Sequence, residues 1–164
     1  MQKFYQPHIV AQRIVAHIKD HIKLTVAFDK EGLFSFNTVT NILVSDKKYS
    51  EEFIVALLNS SLIQYYTYKF IYQNAIRSMD FYEAYAKQIP VPKELSESHQ
   101  QKIISLVNQM LSLQQKYHSS DAVGHEKERL EQQIKNIDYE IDQEIYKLYE
   151  ITSEEQKIIE ESLK

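Results

Sequence analysis

Over residues 8–45 the apolar side chains fall largely at every second position. Leu24, Val26 and Phe28 alternate with Lys23, Thr25 and Ala27, the period of a half-buried strand. Asp29-Lys30-Glu31-Gly32 then reads as a hairpin turn, with Gly32 free to take a positive φ. Leu33 to Phe36 and Val39 to Val44 supply further strand material, and Ile9 to Ile18 reads as an earlier strand whose apolar spacing is less regular. After Ser50 the period lengthens. Phe53, Ile54, Leu57, Leu58, Leu62 and Tyr65 recur at three- and four-residue steps and predict one helix over 50–70, with Ser50 as its N-cap. The polar cluster Tyr72 to Ser78 interrupts the pattern, and a short helix is expected near 80–87.

Ile89-Pro90-Val91-Pro92 marks an extended link, because each proline fixes its own φ and biases its predecessor away from helix. Beyond it the chain is helical. Ile103, Val107, Met110, Leu113 and Tyr117 stripe one helix from Ser96, and Leu130, Ile134, Ile137, Ile141, Ile145 and Leu148 stripe another over 126–149. Joined by the polar turn 118–124, they predict an antiparallel helical hairpin. Thr152 with Glu155 is a capping-box pattern that starts a last short helix. The expected fold is α+β: a small antiparallel or mixed sheet with packed helices over residues 1–93, then a supporting helical hairpin and a short terminal helix over 94–164.

Composition narrows the function. The 164 residues include no cysteine, which excludes thiol chemistry and thiolate metal sites and fits a reducing, cytoplasmic setting. Neither a signal-peptide pattern nor a membrane span is expected from the apolar runs. The two glycines, Gly32 and Gly124, stand far apart, so a glycine-rich nucleotide or methyl-donor loop is not expected. Residues 1–93 hold 11 Lys and Arg against 8 Asp and Glu, whereas 94–164 hold 8 against 15. The first part also carries 15 of the 19 Phe and Tyr residues. It is the part suited to a polyanion, although a surplus of three charges is by itself an ordinary surface.

Several segments taken in order resemble a known family. They are Gln12-Arg13-Ile14 in the first strand, the Asp29-x-x-Gly32 turn with its aromatic return strand, Leu57-Leu58-Asn59-Ser60-Ser61-Leu62, Ile89-Pro90-Val91-Pro92, and Ile141 to Thr152. Together they resemble the TaqI-like C-terminal specificity domain of restriction-modification adenine-specific DNA methyltransferases, including those fused to type II restriction endonucleases. Glu150 departs from the pattern, standing where the family often has glycine, so the usual positive-φ helix cap is not expected there. The resemblance implies a non-catalytic target recognition domain that reads double-stranded DNA. In such enzymes a preceding methyltransferase domain binds S-adenosylmethionine and acts on an adenine rotated out of the duplex. The chain has neither an Asn/Asp-Pro-Pro-Tyr nor a Phe-x-Gly-x-Gly motif, so it is expected to be a C-terminal fragment with no cofactor of its own.

Arg bonds bidentately to guanine, Lys reaches phosphate or guanine, and Asn or Gln pairs with adenine in the major groove. The candidate DNA contacts are Gln12, Arg13, Lys19, His21, Lys23, Lys69, Asn74 and Arg77. Arg13 and Arg77, the two arginines of the basic part, lead the set, with a structural carboxylate anchor as the alternative for each. Tyr65, Tyr68 and Tyr72 share a helical face and are expected to pack in the core rather than stack on bases. His17 and His21 are four apart but have no third metal ligand nearby, so a surface pair or a titratable DNA contact outranks zinc. The carboxylates of 126–144 fall between the stripe positions, as on a solvated face, and not as a metal-binding nuclease cluster. Other classes remain open: a protein-interaction module assembling through the acidic hairpin, or half of a type I specificity subunit.

Overall fold

In a computed structural model the structure describes residues 6–18, 21–33, 37–119 and 123–164. Lys19 and the expected strand residues 34–36 lie outside the described residues. The fold is α+β, built from two small antiparallel sheets and helices packed against them. The strands are β1 (His8–Gln12), β2 (Ile14–Ile18), β3 (His21–Lys23), β4 (Val26–Asp29), β5 (Val39–Ile42) and β6 (Met79–Asp80). One sheet has the order β4-β1-β5 and the other β3-β2-β6.

The strand expected over Ile9 to Ile18 is therefore two strands in two sheets. Arg13 breaks it: its N–H donates to the Thr38 carbonyl (3.0 Å) and its own carbonyl accepts from Phe81 N–H (2.6 Å). The backbone of Arg13 thus leaves both ladders and joins them. The Asp29–Gly32 turn also differs from expectation, because it closes no hairpin; β1 lies between β4 and β5. The Asp29 carboxylate organises it instead, accepting from the N–H groups of Glu31 (3.0 Å), Gly32 (3.0 Å) and Leu33 (2.5 Å). Gly32 has φ +68°, and a Cβ there would lie 2.7 Å from the Gln6 carbonyl oxygen. Both conformation and space demand glycine.

The helix expected over 50–70 is broken too. α1 (Glu51–Asn59) starts at Ser50, whose hydroxyl accepts from Phe53 N–H at 3.1 Å. Ser60 is extended (ψ 148°) and caps the next helix, α2 (Ser61–Tyr66), by accepting from Ile63 N–H. Serine competes for backbone bonds in this way, which favours a cap over a helix interior. α2 runs on into a π-helical segment, Thr67–Ile71. Short α3 (Glu83–Ala86) follows, then α4 (Glu97–Tyr117), α5 (His125–Leu148) and α6 (Ser153–Ser162). Ser96 caps α4, and Thr152 with Glu155 forms the expected capping box on α6.

At the end of α5 the departure from the family pattern has an unexpected outcome. Glu150 adopts φ +54°, so the positive-φ cap forms without glycine. Ile151 N–H donates to the Tyr146 carbonyl (2.9 Å) and Glu150 N–H to that of Lys147 (3.2 Å), the two bonds of a Schellman motif.

One hydrophobic cluster runs through both parts of the chain. Ile9, Val15, Leu24, Phe53, Leu57, Ile63 and Phe81 are continuous with Ile103 and Val107 of α4, Ile145 and Tyr146 of α5, and Ile159 of α6. The proline link is tied from both sides: the hydroxyl of Tyr49 donates to the Pro92 carbonyl (2.7 Å) and that of Tyr149 to the Pro90 carbonyl (2.6 Å). Ser61, at the start of α2, gives Asp142 of α5 its N–H (2.8 Å) and its hydroxyl (2.5 Å).

Candidate nucleic-acid interface

Two amide side chains fix the strands on which the site is built. Gln64 accepts from Leu24 N–H and donates to the Leu24 carbonyl, both at 2.7 Å. Asn59 does the same to Val26, at 3.0 and 2.8 Å. Each amide completes the hydrogen bonding of a backbone position that a neighbouring strand would otherwise satisfy. The segment from β3 to β4 is thereby held on α1 and α2.

Register sets the faces of the β3-β2-β6 sheet. Ile14 opposes Asp80, Ala16 opposes Lys23, and Ile18 opposes His21; these share the outward face. Val15 opposes Met79 and His17 opposes Ile22, facing the core side. His17 and His21 therefore point to opposite sides of the sheet and cannot chelate one ion. Among the described residues no group of three or more His, Asp or Glu could hold a metal.

Tyr68 ties this sheet to the π segment. Its hydroxyl lies 3.4 Å from His17 Nε2, and the Lys69 ammonium sits 5.2 Å from its ring centroid. Its carbonyl accepts from Asn74 N–H at 3.0 Å. Tyr68 and Tyr72 are buried, as expected of a core-facing stripe, and Tyr65 is half-buried. The Tyr72 hydroxyl donates toward the Asp80 carbonyl (3.4 Å). Burial, with Tyr85 and Asp80 nearby, pushes its pKa up and keeps that proton in place.

The chain then turns sharply. Gln73 and Asn74 both have positive φ (51° and 57°), and Ala75 N–H closes on the Tyr72 carbonyl at 3.0 Å. Residues 76–78 are exposed between two half-buried anchors, Ala75 and Met79. Because Met79 pairs with Val15, residues 76–78 reach the sheet from the side of Ala16 to Ile18, the end at which β2 turns into β3.

Lys69 and Asn74 are both tied to Tyr68, Arg77 lies in the exposed 76–78 segment on the Ala16–Ile18 side of β2, and His21 stands on the outward face of β3. Arg77 is exposed, and no described residue bonds its guanidinium. Lys23 lies on the same outward face; burial raises the pKa of the Asp138 carboxyl in α5, and the Lys23 charge nearby offsets only part of that rise. Gln12 and Arg13 sit apart, at the junction of the two sheets. The Arg13 guanidinium donates to the Asn37 carbonyl (2.9 Å) and lies 3.8 Å from Asp80, with 41% of the side chain exposed. The carboxylate anchor weighed for this arginine is present, and part of the guanidinium remains open to solvent.

Sequence reasoning missed two features of this region. Ile76, the most exposed large hydrophobic described at 88%, stands at the loop tip, and its only signal was an apolar residue alone in a polar run. Phe70 is exposed beside Lys69 and stacks on Tyr66 with centroids 5.2 Å apart. The helical face that carries the acidic surplus is solvated, and its ion pairs are local, such as Glu126 with Arg129 and Glu131 with Lys135. Glu144 is the exception: buried, it is held by Lys102 (2.9 Å) and Lys147 (2.7 Å), and the His99 ring lies 3.2 Å away. No helix described is long and apolar enough to cross a membrane.

No curated protein and no solved structure matches the chain. The family model for the TaqI-like C-terminal specificity domain matches residues 1–91, which span both sheets, α1 to α3 and the approach to the proline link. With more than half of its residues in that match, the chain belongs to the TaqI-like C-terminal specificity domain family, the DNA target-recognition modules of restriction-modification enzymes.

Proposed function

We propose that this chain reads a specific sequence in double-stranded DNA for a bacterial, cytoplasmic adenine-N6 methyltransferase, alone or fused to an endonuclease. Residues 1–93 carry the contact surface, and 94–164 hold and orient it. Catalysis, S-adenosylmethionine binding and base extrusion belong to a methyltransferase domain with which the module works. The observation that carries this reading is the family match over residues 1–91, within which Asn74 and Arg77 are exposed.

The roles follow from side-chain chemistry. Arg77, without a partner among the described residues, suits bidentate bonding to guanine O6 and N7. Lys69, Lys23 and Lys19 suit phosphates, and the open edge of Arg13 gives a second anchoring point near Gln12. Asn74 suits adenine, and His21 offers a ring nitrogen for hydrogen bonding.

A mobility-shift selection from a random duplex pool at low salt tests the reading. An enriched sequence is expected, with affinity falling steeply as salt rises through counterion release. Arg77→Ala should weaken binding to that sequence by about 10-fold or more and relax one base position, whereas Lys69→Ala should weaken all duplexes alike and lower the salt slope by about 1. A folded chain that retards no duplex at low salt overturns the reading.

A further inference from the structure

We infer that the tip of the 73–78 loop is a specificity hook in which Ile76 packs on the 5-methyl group of a thymine in the major groove, next to the base read by Arg77. The inference rests on the DNA reading above and names what one part of that surface recognises.

Three observations carry it. First, the loop is set rather than loose. Gln73 and Asn74 occupy successive left-handed positions without glycine, each at a cost of about 1–2 kcal/mol. The bonds from Asn74 to Tyr68 and from Ala75 to Tyr72 hold the turn. Strain retained by surrounding contacts is a mark of functional loops. Second, the tip is anchored on both sides. Ala75 and Met79 are packed against the core, and all three residues between them are exposed. Third, the exposed side chains are chemically mixed in a way a solvated loop does not need. Ile76 is 88% exposed, and its β-branched side chain holds few rotamers, so little freedom is lost on contact. Arg77, beside it, has no partner among the described residues. An apolar group beside an open guanidinium matches the major-groove edge of thymine next to guanine: a methyl group beside the O6 and N7 acceptors. A phosphate would use the arginine and leave Ile76 in water.

The test uses the whole chain and a duplex pool enriched by selection, amplified once with thymidine triphosphate and once with deoxyuridine triphosphate. The two pools differ only in the thymine methyl groups. The wild-type chain should bind the uracil pool about fourfold more weakly, the value of one buried methyl-sized group. Ile76→Ala should bind the thymine pool about as weakly as the wild type binds the uracil pool, and should no longer distinguish the two. Thermal melting of the variant should match the wild type, as expected for an exposed position. Equal affinity of the wild-type chain for both pools overturns the inference and leaves DNA recognition standing. So does a preference for thymine that persists undiminished in Ile76→Ala. If no duplex is enriched at all, DNA recognition fails and takes the hook with it.

Discussion

Asp142→Asn should change stability in a way that depends on pH, and the size of the change follows from where Asp142 sits. Its carboxylate accepts two bonds from Ser61 at the start of α2, which hold its pKa down. Burial acts more strongly in the other direction, helped by Asp138 and Glu160, and pushes the carboxyl from 3.8 up to about 6. Between pH 4 and 6 the folded state therefore binds more protons here than the unfolded chain. Stability contributed by this group is fully present below pH 4 and is lost as pH rises to 6. The gap corresponds to about 2–3 kcal/mol once residual solvent screening is allowed for. An asparagine keeps the shape: its oxygen can accept from Ser61 N–H, and its NH₂ can donate to the Ser61 hydroxyl. It never carries the disfavoured charge. Urea unfolding followed by circular dichroism at pH 4.5 and 7.5 measures the difference. The variant should gain about 2 kcal/mol relative to wild type between the two values, other groups titrating alike in both proteins. A difference constant to within about 0.5 kcal/mol would refute the argument, because the carboxyl would then ionise alike in both states.

Three further outcomes follow from local geometry. Glu150→Gly should stabilise by about 0.5–1 kcal/mol, raising Tm by roughly 1–4 °C, since glycine removes the left-handed penalty at the end of α5; an unchanged or lower Tm in a thermal melt counts against that cap. Gly32→Ala should cost about 2–4 kcal/mol in chemical unfolding, because a Cβ meets the Gln6 backbone as well as a positive φ. Gln64→Met, which keeps side-chain volume, should cost about 2–5 kcal/mol because it strands both backbone groups of Leu24 in the interior; hydrogen exchange at Leu24 should accelerate with it.

The parts legible in the sequence were those fixed by near neighbours. Ser50, Ser96 and Thr152 announce helix starts because a cap is satisfied within three residues. The stripes of α4 and α5 give the hairpin because each helix needs only one partner face. What escaped was settled by distant contacts. Arg13 divides a strand because Thr38 and Phe81 arrive to bond its backbone, and neither leaves a trace near residue 13. The order β4-β1-β5 replaces a local hairpin because β1 can pair on both edges. Asn59 and Gln64 read as ordinary polar positions on a helix; only the fold reveals that each is bonded to a strand. In the candidate site, Asn74 and Arg77 were legible as polar residues of the right types. The left-handed turn that presents them was not, because it contains no glycine, and Ile76 looked like noise in a polar cluster.

The amide bonds from Asn59 and Gln64 also separate two tasks. The strands are moored by side chains that face the protein, and the exposed tip at 76–78 contributes nothing to that mooring. Letters at the tip can be rewritten while the scaffold keeps its shape, so a changed reading preference need not be purchased with a weaker fold. A library randomised at 76–78 on this chain should yield many stable proteins that differ in the duplexes they prefer.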